Sequence, residues 1–238
     1  MSKERPDIPA YPQSGVASTC RSYDEYLTMF DLTEARLREG PVLDAAGGAS
    51  SFTAELCARG LDARAADPFY AGEREEVIAA AAREIGVSSA KLEANLTHYD
   101  WSYYGSPTRH RALREASLAK FAAHFRADAG EDRYAAAGLP RLPYADGTFS
   151  LALCSHFLFL YADQFGLDFH AEALRELLRV VRPGGEVRIY PLVSLRWEPY
   201  PHLPELLASI LPLAEARETA GKLPFVPVAS PMLTLTRR

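Results

Sequence analysis

With 238 residues, 48% of them hydrophobic and 24% charged, the chain has the composition of an ordinary folded α/β protein and can bury a substantial core. No apolar run approaches the roughly 18 residues that span a bilayer, and MSKERPDIPAYPQSG at the amino terminus lacks a signal peptide's apolar stretch, so the expected location is cytoplasmic. A net charge of -5 opposes a phosphate-tracking nucleic-acid binder and favours a small-molecule partner, while Cys20, Cys57 and Cys154 offer neither a disulfide framework nor metal-ligand spacing.

Residues 1 to about 19 are rich in proline, serine and polar groups and read as a flexible lead-in to a single domain over 20–238. A short helix follows: Ser22 can cap it, Glu25 completes a capping box, and Tyr23, Tyr26, Leu27 and Phe30 recur at helical spacing. Pro41 to Ala45 is a buried strand, Gly47-Gly48 a turn, and Ser50 to Arg59 a helix stopped by Gly60. Leu61 to Ala66 is a second strand, ended by Asp67-Pro68, so strand, helix and strand form a parallel pair with a right-handed crossover.

From about 70 to 130 the pattern is mainly helical, with Glu73 to Ile85 and Arg111 to Arg126 as helices around the aromatic loop His98 to Tyr104. So long a detour between two strands is an insertion, expected to cap a ligand site. Strands at Tyr134 to Ala137, Phe149 to Ser155 and Glu186 to Tyr190 resume the alternation, with a helix from about Phe169 to Val181. The end of the chain offers a helix near Leu203 to Leu211 and extended runs at Leu223 to Val228 and Met232 to Thr236. The expected architecture is α/β: a Rossmann-like doubly wound sheet of about seven strands, mostly parallel, with a helical insertion between strands 2 and 3.

In such a sheet ligands bind beyond the carboxyl ends of the strands, where the chain order reverses. The turn there, Asp44-Ala-Ala-Gly-Gly-Ala-Ser50, has glycines that let backbone approach a ligand, and it feeds the amino end of a helix. Asp67 ends the second strand about 20 residues on, the separation at which a carboxylate reaches ribose hydroxyls. An adenosine cofactor follows. The dinucleotide fingerprint G-x-G-x-x-G fails, because it would need glycines at Ala49 and Phe52. A carboxylate at Asp44 does nothing for a pyrophosphate but attracts the ammonium and sulfonium of S-adenosylmethionine.

At this point VLDAAGGASSF resembles the first motif of class I methyltransferases, V-L-D-x-G-x-G-x-G, with Ala46 and Ser50 in place of two glycines. AADPFY resembles the acid motif of the second strand, LPYADGTFSLALCS the L-P-F-x-D-x-S-F-D-L-V segment, and LLRVVRPGGEVRI the L-x-R-V-L-K-P-G-G motif. EYLTMFDLT, CSHFLFLYADQF, DFHAEALREL and EVRIYPL resemble a largely uncharacterised bacterial methyltransferase-like group, over roughly residues 22 to 235. The resemblance implies methyl transfer from S-adenosylmethionine, leaving S-adenosylhomocysteine, with an antiparallel strand near the carboxyl end. It implies cofactor contacts from Asp44, Ala46, Gly47, Gly48, Asp67, Pro68, Leu139 and Ser155. Gly138 stands where many such enzymes hold the adenine with an acid, and Ser150 where an aspartate is common.

The expected acceptor pocket is formed by Tyr26, Met29, Trp101, Tyr104, His156 and Tyr161, with His156 the candidate proton acceptor; Tyr103 is a further aromatic of that loop. His170, on the apolar face of its helix with Leu174, reads as a packed, hydrogen-bonded histidine. Two other readings stay open: a non-catalytic S-adenosylmethionine-binding module, given the missing glycines, and an NAD-linked oxidoreductase, given Asp67.

Overall fold

The computed structural model describes residues 9–13, 15–128, 130 and 132–238. Ser22 caps α1 (Tyr23–Met29) through the expected capping box, its hydroxyl accepting from the Glu25 amide while the Glu25 carboxylate accepts from the Ser22 amide at 2.7 Å. A single helical turn, α2 (Glu34–Leu37), leads into β1 (Val42–Ala45), which is buried throughout. Then come α3 (Phe52–Ala58), β2 (Ala63–Ala66), the two long helices α4 (Arg74–Glu93) and α5 (Pro107–Ala127), and the short β3 (Tyr134–Ala135). The second half adds β4 (Phe149–Ser155), α6 (Leu167–Val180), β5 (Val181–Tyr190), α7 (Leu203–Ile210), β6 (Ala214–Ala220) and β7 (Pro231–Arg237).

The strands form one seven-stranded sheet in the order β3-β2-β1-β4-β5-β7-β6. The first five strands pair in parallel, and β7 runs antiparallel between β5 and β6. This is the expected Rossmann-like sheet. Order reverses between β1 and β4, which opens a crevice beyond their carboxyl ends. Leu174, Leu177 and Leu178 of α6 pack one face against Phe149, Ala152 and Val187. On the other face Tyr26 and Met29 of α1 and its capping residue Phe30 join Phe52 and Leu56 of α3 over Val42 and Leu151. Burial of this kind stabilises by roughly 25 cal/mol per Å² of apolar surface. Among the described residues no helix is long and apolar enough to cross a membrane.

Several elements differ from the sequence expectation. The helix expected to end at Ile85 runs on to Glu93, because the Ser88 hydroxyl bonds back to the Glu84 carbonyl at 2.8 Å instead of breaking the ladder. α5 starts at Pro107 instead of Arg111, since the Ser106 hydroxyl accepts from the Arg109 amide and Pro107 occupies the first turn. The sixth strand is the polar Ala214–Ala220 and not Leu223 to Val228: AEARETA reads like a helix, but it is an edge strand paired with β7, with only Ala214 buried and Ala216 and Thr219 half-buried. Within the expected lead-in, residues 9–13 and 15–19 make contacts with the domain: Tyr11 N donates to Leu195 O at 2.8 Å, Trp197 Nε1 to Pro9 O at 2.9 Å, and Ala17 N to the Tyr161 hydroxyl at 3.0 Å. The rest of that lead-in, 1–8 and 14, lies outside the described residues.

The insertion is tied down by a buried charge cluster. The Glu25 carboxylate accepts from Arg114 Nη1 of α5 and from the Tyr104 hydroxyl of the aromatic loop, each at 2.5 Å. Burial alone would raise its pKa, but the Arg114 charge and hydrogen bond hold it well below the usual carboxylate range. Removing one partner of such a pair strands the other charge in the core. Glu25→Gln is therefore expected to cost about 3–5 kcal/mol in urea unfolding. A loss below about 1 kcal/mol would mean that Arg114 is compensated elsewhere.

Candidate functional site

At the crevice the chain leaves β1 through a turn in which Ala46 and Gly48 have left-handed backbones, with φ of 58° and 53°. His156, at the end of neighbouring β4, has φ 50°. Two non-glycine residues held there cost of order 1–3 kcal/mol each, strain of the kind that gathers at ligand sites. The same conformation explains why the methyltransferase motif favours glycine where this chain has Ala46. Ser50, the other replaced glycine, donates its hydroxyl to Asp44 Oδ2 at 3.0 Å.

Asp44 faces inward. Its carboxylate takes the Ser50 hydroxyl and the Tyr26 hydroxyl, at 3.0 Å from each oxygen, and it is 1% exposed. Gly47 lies directly over it, since a Cβ there would come within 2.8 Å of Asp44 Oδ2. Gly48 faces outward under the amino-terminal segment, with Ser18 Oγ 2.9 Å from where its Cβ would be. Asp67 clamps this turn: Oδ2 accepts from Gly48 N and Oδ1 from Phe69 N, both at 2.9 Å. Burial raises the Asp67 pKa against these two hydrogen bonds, which lower it.

Beyond the turn is a cavity of about 1320 Å³, counting its mouth, lined by Ala46, Gly48, Asp67, Pro68, Leu139 and Ser155. Phe157, Phe165 and Phe169 supply an apolar wall, and Glu84 of α4 a second carboxylate. Among the described residues no lysine or arginine lines it. Gly138 cannot be an acid here, because a Cβ would stand 2.8 Å from Pro68 Cγ. A second cavity of about 840 Å³, again counting its open mouth, adjoins it and shares the wall formed by Ala17, Ser18, Thr19, Glu84 and His156. Its own walls are Tyr11, Tyr99, Trp197, Phe225 and Tyr161, with Arg21 among them.

Six of the eight expected cofactor contacts therefore meet in the first cavity, while Asp44 and Gly47 do not. Of the expected acceptor residues, His156 and Tyr161 line the second cavity. Tyr26 does not, because its hydroxyl is committed to Asp44, and Met29 is buried on the sheet with its sulfur accepting from Ser155 Oγ at 3.7 Å. Tyr104 is fully buried on Glu25, and Trp101 stands behind Phe225 with ring centres 5.5 Å apart. His170 is packed between Phe159 and Tyr200, with its two ring nitrogens 2.8 and 3.0 Å from the carbonyls of Gly166 and Leu158. Ser150 donates to the Pro41 carbonyl at 3.1 Å, a structural bond remote from both cavities. Arg21, Glu84 and Ser18 escaped the sequence reading, as isolated polar residues carry no spacing signal. Among the described residues no cluster of three or more histidine, cysteine or acidic side chains could hold a metal.

Burial raises the Asp44 pKa to about 7, opposed by the hydrogen bonds from Tyr26 and Ser50. The folded state thus binds this proton more tightly than the unfolded chain, a contribution fully present below the ordinary value near 4 and lost as pH rises through about 7. The stability of wild type relative to Asp44→Asn is expected to fall between pH 4 and 7, by up to about 1.4 kcal/mol per pH unit, and to level off above. Urea unfolding at unit pH steps reads this; a difference independent of pH would assign Asp44 an ordinary pKa.

Residues 83–189 match the family described as "Methyltransferase domain". That match begins past Asp44 and Asp67, whose assignment rests on geometry. An uncharacterised protein of Methanocaldococcus jannaschii is 29% identical over 179 residues, 75% of this chain and 78% of that one. Among solved structures, the magnesium protoporphyrin IX methyltransferase of Synechocystis, with S-adenosylmethionine bound, is similar over 91% of this chain and 78% of its own, at 10% identity and TM-score 0.49. The 1,6-didemethyltoxoflavin-N1-methyltransferase of Burkholderia thailandensis, with its substrate and S-adenosylhomocysteine, is similar over 90% and 86%, at 16% identity and TM-score 0.45. The strand order is that of a Rossmann-like sheet, and the match to the methyltransferase-domain family covers residues 83–189, less than half of the chain.

Proposed function

We propose that the protein transfers a methyl group from S-adenosylmethionine to a small-molecule acceptor. The observation that carries this reading is the charge of the larger cavity, which has two carboxylates, Asp67 and Glu84, and, among the described residues, no lysine or arginine in its lining. A pyrophosphate would meet repulsion there, which counts against a nicotinamide dinucleotide; a cofactor with an ammonium and a sulfonium gains from the field. A second cavity joined to the first through a common wall supports an enzyme over a module that only binds.

The residues present fit this cofactor. Asp67, anchored by two backbone amides, would accept from the ribose hydroxyls. Pro68 and Leu139 would cover the adenine. Ala46 and Gly48 would face the amino-acid portion, together with Ser18, whose buried hydroxyl has no hydrogen-bond partner. Asp44 would act from behind the turn, holding its backbone through Tyr26 and Ser50.

When bound, the cofactor supplies an electrophilic methyl group on sulfur. The shared wall would hold an acceptor oxygen or nitrogen in line with that methyl group, whose transfer would leave the electron pair on sulfur. The acceptor's proton passes to the Glu84 carboxylate, whose pKa burial raises and whose Oε1 has no hydrogen-bond partner. His156 is kept neutral, since burial lowers its pKa well below the ordinary histidine value, and its ring orients the acceptor. Ala17, Ser18 and Thr19 roof both cavities and exclude water.

Calorimetric titration tests the reading. S-adenosylmethionine and S-adenosylhomocysteine are expected to bind, NAD is not, and Asp67→Ala should weaken binding by roughly 10- to 100-fold. No binding of either sulfur compound at millimolar concentration would remove the basis of the assignment, and an Asp67→Ala protein with wild-type affinity would overturn the ribose contact.

A further inference from the structure

We propose that the methyl acceptor is a small oxyanion with a flat apolar body, and that Arg21 holds its acidic group. This rests on the methyltransferase reading and names the substrate class of its second cavity. The Arg21 side chain is 9% exposed, and it lines that cavity and not the larger one. Its backbone is fixed, the carbonyl accepting from Ser51 N at 2.9 Å and from Ser117 Oγ at 2.7 Å. Yet Nε and Nη1 of its guanidinium are buried without a hydrogen-bond partner. Unsatisfied buried donors on a charged group are costly, and a site that tolerates them is built for an acceptor that arrives later.

The nearest carboxylate does not fill that need. Glu25 Oε1 lies 3.6 Å from Arg21 Nη1, but Glu25 already accepts from Arg114, Tyr104 and the Ser22 amide. Two guanidiniums share one carboxylate, so a positive charge is left over; both line the cavity, but Arg114 is bonded to Glu25, the Tyr104 hydroxyl and the Cys20 carbonyl, whereas Arg21 Nε and Nη1 have no hydrogen-bond partner. His110 adds none, as burial lowers its pKa to about 3. Glu84 forms no ion pair with Arg21 and stands in the wall shared with the cofactor cavity. The chamber is thus positive at the Arg21 end and negative where methyl transfer would take place. Between these ends the walls are the rings of Tyr11, Tyr99, Trp197 and Phe225, which suit a planar apolar body. An acceptor so oriented puts its acid on Arg21 and its O–H or N–H against Glu84.

The test is calorimetric binding to the full chain, with and without saturating S-adenosylhomocysteine. The probes are benzoate, 1-naphthoate and indole-3-carboxylate, each beside its carboxamide, and phenyl phosphate beside phenol. Each anion is expected to bind wild type at least roughly 10-fold tighter than its neutral partner, as a charge-assisted hydrogen bond on a buried guanidinium requires. Benzoate against phenyl phosphate then tells carboxylate from phosphate. Arg21→Gln should erase the preference and leave S-adenosylhomocysteine affinity unchanged, and Arg21→Lys should keep part of it. Neutral partners binding wild type as tightly as the anions, no anion binding at all, or a preference that survives in Arg21→Gln would each overturn the proposal. The wild-type comparison decides even if a variant fails to fold. Failure of S-adenosylhomocysteine to bind would strike the cofactor assignment, while the anion preference is still read on the free protein.

Discussion

One buried carboxylate, Glu25, binds together three parts of the chain that share no strand: the first helix through the Ser22 capping box, the aromatic loop through Tyr104, and the second inserted helix through Arg114. A carboxylate in such a place would be strongly unfavourable unless matched and hydrogen-bonded. Here it is met by a guanidinium, a phenol and an amide at once. Because the first helix, the aromatic loop and the second inserted helix are thereby set against each other, the second cavity has walls in fixed relation to the strand ends. The same cluster leaves Arg21 with a charge that the protein does not neutralise.

The sheet meets this cluster at the turn after β1, where two aspartates divide the work. Asp67 points outward and ties Gly48, so it can do two things, fix the turn and offer a ligand the remaining capacity of its oxygens. Asp44 points inward and is closed off by Tyr26 and Ser50. A substitution that looks like a loss in the motif, Ser50 for glycine, is thus the donor that makes an inward carboxylate tolerable. Ala46 stands in the left-handed region without the freedom of glycine, held by Ala46 N donating to the Ala66 carbonyl at 2.8 Å.

Most of the fold could be read from periodicity, because strands such as VLDA and FSLALCS are buried along their whole length and α6 keeps its apolar residues on one face. The edge strand AEARETA could not: its composition favours a helix, and only pairing with β7 makes it extended. The site followed the same division. That Asp67 and Gly48 meet at one cavity is legible, because their placement depends on local turns and strand ends. The inward turn of Asp44 was not, since it depends on Tyr26 arriving from a helix that the motif does not include. Trp101 and Tyr104 were read as pocket walls because they are aromatic and lie in an insertion, but they back up Phe225 from behind, at ring separations of 5.5 and 4.9 Å. Arg21 and Glu84 are single charges without periodic company, and only the fold brings them to one chamber.

The second cavity is built almost entirely from segments that are not strands: the lead-in around Tyr11, the insertion with Glu84 and Tyr99, and the stretches carrying Trp197 and Phe225. The larger cavity, by contrast, leans on the ends of β1, β2 and β4. Residues in the loop and helical walls can therefore be exchanged without disturbing strand register, since they take no part in the ladder. Such an arrangement separates two kinds of evolutionary change. A change in the walls of the second cavity leaves the strand pairing in place, whereas a change in the turn after β1 acts directly on residues that join the strands.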